Sequence, residues 1–185
     1  MDKEYYTQYE RRLEEMLAER CGSEGRMMIV EEIDEVWQRL APEYMAEAIG
    51  QINRYPAFTL AAAGYIGMAL AAWWDTDWKA HSSVGYDHLR DEGGFDTMDE
   101  FITQKILGLA LESDAAKTIS AELREAAHSV MSVIEHEEIE RGTSEAFYIL
   151  ARSARAMFHA GVSLELRRRG YKYFKVDVGG DKSIN

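Results

Sequence analysis

The stretch that decides the fold is Ala57–Trp74, "AFTLAAAGYIGMALAAWW", which runs for eighteen residues without a charge. As a helix it reaches about 27 Å, close to the thickness of a bilayer core. Its composition argues against a membrane span. Seven of its residues are alanine and two are glycine, and alanine enters lipid far less favourably than Leu, Ile or Phe. The stretch stands alone and runs directly into Asp75 and Asp77. The reading is a helix buried on most sides of a protein core. Ala57, Ala61, Gly64, Gly67 and Ala71 recur along it as a ridge without bulk, so a neighbouring helix can approach closely. Glycine costs up to about 1 kcal/mol relative to alanine inside a helix, so two glycines here imply a packing need.

Outward from that helix, amphipathic segments follow one another. Pro56 starts the central helix, which extends to about His81. Before it, Lys3–Glu19 carries a stripe of Tyr6, Tyr9, Leu13, Met16 and Leu17. A second segment, from about Arg26 to Leu40, repeats Ile29, Ile33, Val36, Trp37 and Leu40 at helical steps. Its opposite face holds Glu31, Glu32, Asp34 and Glu35, an acidic run read as solvated. Pro42 sits at a first-turn position, and Tyr44 to Asn53 continues either as one kinked helix or as a second one.

After the central helix, Ser82–Asp96 reads as a loop with one helical turn at Tyr86–Arg90. Thr97 and Glu100 have the spacing of a capping box, opening a helix to about Glu112 that buries Phe101, Ile102, Ile106, Leu109 and Ala110. Ser113 caps a helix to about Arg141, and Thr143 or Ser144 caps a last one that buries Phe147, Leu150, Ala154, Met157, Phe158, Gly161 and Leu164 and ends at Gly170. The expectation is an all-α, single-domain helical bundle of six or seven helices over residues 1–178. Tyr171–Val178 is read as an extended tail lying on the bundle, and 179–185 as disordered.

Charge limits the partners. The 185-residue chain carries a net charge of −12, which opposes nucleic acid and anionic membrane surfaces. Ser144–Lys175 departs from this, with seven Lys/Arg against two Asp/Glu, a local balance of +5 that leaves −17 for the remainder. Its single cysteine, Cys21, excludes an internal disulfide and fits a reducing, cytoplasmic compartment.

No phosphate loop, nucleophile elbow, HExxH pair or cysteine-based zinc motif occurs. A search for chemistry therefore rests on spacing. Glu125 and His128 stand three apart, and Asp77 and His81 four apart, so each pair shares a helix face. With His159 they make a candidate set for a divalent transition metal, set against a reading with no cofactor at all. Arg152 and Arg155, in line with His159, could hold an anion or pair with acidic faces of the same chain. Trp73, Trp74 and Trp78 beside two aspartates could line a pocket or could be core residues with their indole N–H groups satisfied. Two function classes follow: a noncatalytic domain working through a protein partner or homo-oligomer, and a metal- or anion-dependent enzyme or small-molecule binder in the bundle core.

Overall fold

A computed structural model describes residues 2–173 and gives an all-α helical bundle. Helix α1 spans Lys3–Cys21, α2 Glu31–Gln51, α3 Pro56–His81, α4 Tyr86–Arg90, α5 Met98–Phe101, α6 Asp114–His136 and α7 Ser144–Arg168. Among the described residues there are no strands, only an isolated bridge between Ser23 and Arg26. The tail expected over 171–178 and the disorder expected over 179–185 lie, from residue 174 onward, outside the described residues.

The uncharged stretch is the centre of the bundle. From Thr59 to Ala72 every residue of α3 is buried. Its most apolar window passes a membrane test on hydropathy, at 1.4, yet 78% of that window is buried inside the protein. The helix that uses its small-residue ridge is α7, its most extensive partner. A Cβ on Gly161 would collide with the Gly64 carbonyl, and one on Gly67 with the Phe158 carbonyl. The two backbones therefore touch, which only glycine permits. Helix α6 covers α3 with Ile119, Leu123 and Val130, while α1 lies on α7 with Tyr9, Leu13 and Leu17. One continuous cluster of buried apolar side chains runs through all of these helices.

Several boundaries differ from the sequence reading. Helix α2 begins at Glu31, not Arg26. Val30 is extended, and the Met28 amide is used to donate to Ser163 Oγ at 2.8 Å, so the chain before Glu31 is fixed by a tertiary bond. Beyond that start, α2 is one helix that runs through Pro42. Helix α3 loses helical geometry at Asp77 (φ −154°, ψ 74°), and the Asp77 carboxylate restarts the last turn by accepting from the Ala80 amide at 3.2 Å.

The helix expected to reach Glu112 stops near Leu107. The Thr97 side chain makes no capping bond. The chain enters through a 3₁₀ turn at Phe95–Thr97, widens into a π-helical turn at Ile102–Ile106, and ends where Gly108 takes φ +69°. Of the five residues expected to be buried there, only Ile102 is. Helix α6 ends at His136, short of Arg141, and Glu138 follows with φ +51°. Ser113 and Thr143 do cap α6 and α7, accepting from the Ala116 and Ala146 amides at 3.2 Å each. Phe147, expected in the core, is 41% exposed.

Candidate functional site

Among the described residues, two regions stand out as places for chemistry or recognition. The first is polar and buried, where α1 and α2 meet α7. Glu10 and Glu14 lie one turn apart on α1, and Asp34 stands in the first turn of α2. Arg152, Arg155 and His159 follow at steps of three and four on α7. Arg152 donates to Glu10 Oε2 at 2.6 Å. Arg155 bridges two elements, donating to Glu10 Oε1 at 3.0 Å and to Asp34 Oδ2 at 2.8 Å. His159, only 3% exposed, meets Asp34 Oδ1 through Nε2 at 2.7 Å and Glu14 through Nδ1.

Burial resists charge on both Asp34 and His159, but their partners win. Hydrogen bonds from His159 and Arg155 hold the Asp34 carboxyl well below the usual carboxylate range. For His159, bonds to Asp34 and Glu14 and the field of both carboxylates raise the imidazole above its ordinary value. The two shifts agree: each favours the ionised form.

Glu10, Glu14 and His159 each offer a donor atom, all within 4.8 Å of one another, and could be presented to a cation. Charge disfavours that use. Three carboxylates face two guanidiniums, which leaves one negative charge unmatched. One proton on His159 cancels it, whereas a dication on a neutral ring would leave an excess positive charge beside two arginines in a buried place. Both oxygens of Glu10 are already taken by guanidinium groups.

The second region is an apolar groove of about 600 Å³ at the start of α3. The end of α2 and the start of α3 form one wall, with Ile49 and Leu60. The end of α6, the following turn and the start of α7 form the other, with Ile134, Ile139, Phe147 and Leu150. Glu135, Glu138 and Arg141 stand among the lining residues. Ile49 is 50% exposed, and Tyr55 and Tyr148 are exposed nearby.

The residues singled out by spacing are dispersed. Asp77 and His81 lie at the end of α3, where the His81 ring stacks on Trp73 at 4.6 Å and Nδ1 meets the Asp77 carbonyl at 2.8 Å. Glu125 is on α6, 3.7 Å from Arg20, and His128 is exposed on the same helix. His159 alone of the five belongs to the buried cluster. Arg152 and Arg155 are engaged by carboxylates of this chain. Trp74 donates to Glu32 at 2.8 Å, and Trp78 packs on the core. The basic end of α7 is matched in the same way: fully buried Glu165 binds Arg168 and Arg169, and Asp75 binds Arg169 and Tyr171.

Glu10, Glu14 and Asp34 were missed by spacing alone. The available signal was Glu10, an acid on the same helical stripe as Tyr6, Leu13 and Leu17. By sequence Asp34 belongs to the solvated acidic face of α2, yet its side chain turns toward α7. Comparison with family models, curated proteins and solved structures finds no match to this chain.

Proposed function

We propose that the protein is a noncatalytic binding module whose groove between the α2–α3 and α6–α7 connections receives an amphipathic helix with basic flanks from a protein partner. The observation that carries this reading is the groove itself: an apolar floor of about 600 Å³, opened by exposed Ile49 and Phe147. Large apolar side chains left in contact with water around a concave surface are characteristic of docking sites. Charge supports the choice of occupant. The lining carries Glu135 and Glu138 against one Arg141, on a protein with net charge −12. A helix with lysine or arginine beside its apolar stripe complements that surface, whereas nucleic acid and anionic membranes do not. The chain's single cysteine, Cys21, is free and buried, in keeping with a reducing cytoplasmic setting.

The test uses a synthetic peptide with leucine along one helical face and lysine along the other, followed by fluorescence anisotropy. The wild-type protein binds it saturably. Ile49→Glu and Phe147→Glu, both at exposed positions, weaken binding roughly tenfold each or more while the far-ultraviolet circular dichroism is unchanged. A peptide carrying glutamate in place of lysine binds more weakly. No saturable binding, or equal binding by both variants, overturns the reading. A wild-type dimer that becomes monomeric in either variant and takes no peptide reassigns the groove to a second copy of the chain. Saturable uptake of a fatty acid without peptide binding reassigns it to a small apolar ligand.

A further inference from the structure

The buried cluster poses a question that the groove does not answer: what closes its charge? We propose that it is a proton site, in which His159 is held as an imidazolium whose proton fastens α1 and α2 to α7.

The geometry requires two donors on one ring. A neutral imidazole has one N–H and one lone pair. Here Nδ1 faces Glu14 and Nε2 faces Asp34, on opposite sides of the ring. A neutral ring would turn its lone pair onto one of the two carboxylates. Water cannot relieve that contact, because His159 is buried. The groups that face the ring from each packed element are Glu10 and Glu14 on α1, Asp34 on α2, and Arg152 and Arg155 on its own helix, with the uncharged Phe158 ring at 5.8 Å. Three negative and two positive charges require one more positive charge, and the imidazolium supplies it.

The proton also lies at a mechanical junction. Asp34 is in the first turn of α2, just after the segment that Ser163 holds through the Met28 amide. Glu14 is in the middle of α1. Loss of the proton leaves a repulsive contact at one of the two elements, while the glycine contact between α3 and α7, where Gly161 meets Gly64 and Gly67 meets Phe158, is backbone against backbone and does not involve the ring. The device is therefore local: α1 and the start of α2 loosen from a core that stays folded.

The sign follows from the direction of the shift. The folded ring binds its proton more tightly than the unfolded one, so the stabilisation is complete below about pH 6.5 and is lost as pH rises through the folded value.

Long-range ¹H–¹⁵N spectra of the imidazole nitrogens in the wild-type protein read the charge directly, with His159→Gln used for assignment. Both nitrogens of His159 are expected in the imidazolium range at pH 7. A neutral His159 at pH 7 overturns the proposal. Melting temperature gives the second readout. His159→Gln lowers it by roughly 10 °C at pH 7 and removes the decline that the wild type shows between neutral and alkaline pH. Parallel curves for the two proteins overturn the fastening role. A third arm adds Zn²⁺ or Mn²⁺ alone. A rise in melting temperature in the wild type that is absent from His159→Gln overturns the proton assignment in favour of a metal. Should the variant fail to fold, the wild-type spectra decide.

Discussion

Helix α7 is joined to its neighbours by two contrasting seams. Toward α3 it presents Gly161 and the Phe158 carbonyl, so that backbone meets backbone with almost no side chain between them. Toward α1 and α2 it presents Arg152, Arg155 and His159, which reach three carboxylates, together with two serines that bond Tyr9 and the Met28 amide. Where the glycines meet, the first seam depends on shape: its strength there comes from dispersion and burial, and the Arg169–Asp75 ion pair joins the two helices only at their far ends. The second depends on charge, and its strength is conditional on every group being paired. A helix fastened in both ways has one rigid side and one side that solution conditions can act on.

The contrast is most sharply tested at the glycines. Gly161→Ala is expected to have the largest effect of any single methyl added to the protein. Alanine is intrinsically the better helix former by up to about 1 kcal/mol, yet the added Cβ collides with the Gly64 backbone, which cannot swing aside as a side chain can. Overpacking of this kind costs roughly 1–3 kcal/mol or more, so α3 and α7 must separate, and urea unfolding reads a net loss of at least about 2 kcal/mol. Gly64→Ala is the internal control. Its Cβ meets Leu123 Cδ2 at 2.8 Å, the far end of a flexible side chain, so its loss should stay within about 1 kcal/mol. Equal losses at the two positions would show that the seam is set by side chains and not by backbone contact.

Arg155→Met tests the charged seam. The guanidinium bridges Glu10 and Asp34, so removing it leaves two carboxylates short of a partner at a site that stays largely closed to water. The expected loss is roughly 2–4 kcal/mol at pH 7, discounted from a fully buried pair because Arg155 is partly exposed. The pH dependence gives a second signature. The depressed Asp34 pKa contributes stability that is present above about pH 4 and is lost as pH falls through the folded value. Without Arg155 that folded value rises, so acid unfolding, followed by circular dichroism, should begin at higher pH than in the wild type. An unchanged acid midpoint would mean that His159 alone holds the Asp34 charge.

The two seams also differ in how far the sequence reveals them. The shape seam is local information: a charge-free run with glycine and alanine at helical spacing announces a close helix contact, and only the partner has to be learned from the structure. The charged seam is long-range information. Arg152, Arg155 and His159 could be grouped because they share one helix, but Glu10 and Asp34 lie more than a hundred residues away. An acid on a helix surface looks the same in sequence whether it faces water or an arginine. Local signals misled for a related reason. Thr97 and Glu100 have capping-box spacing, but the 3₁₀ turn that delivers the chain to them sets Thr97 in a geometry where no cap forms. Gly108 did carry a stop signal, since glycine is the residue that takes the left-handed conformation without strain.

The smallest expected effect falls where the two seams border each other, at Tyr9. Its hydroxyl donates to Ser153 Oγ at 2.7 Å, and Ser153 in turn donates to the Ile149 carbonyl at 2.7 Å, so the serine serves as acceptor on one side and donor on the other. Burial pushes the Tyr9 phenol up to about 12, so it keeps its proton as a donor from about pH 5 to pH 9. Tyr9→Phe preserves the ring packing and removes one neutral hydrogen bond. The cost should be about 1 kcal/mol, or roughly 2–4 °C in melting temperature. Unlike the loss at Arg155, it should be the same from pH 5 to pH 9. Adding Ser153→Ala to Tyr9→Phe should cost less than Ser153→Ala alone, because the partner bond is already gone. A pH-dependent loss at Tyr9 would instead mean that the hydroxyl network and the charge network are one system, and that the boundary between the two seams lies further along α7 than Ser153.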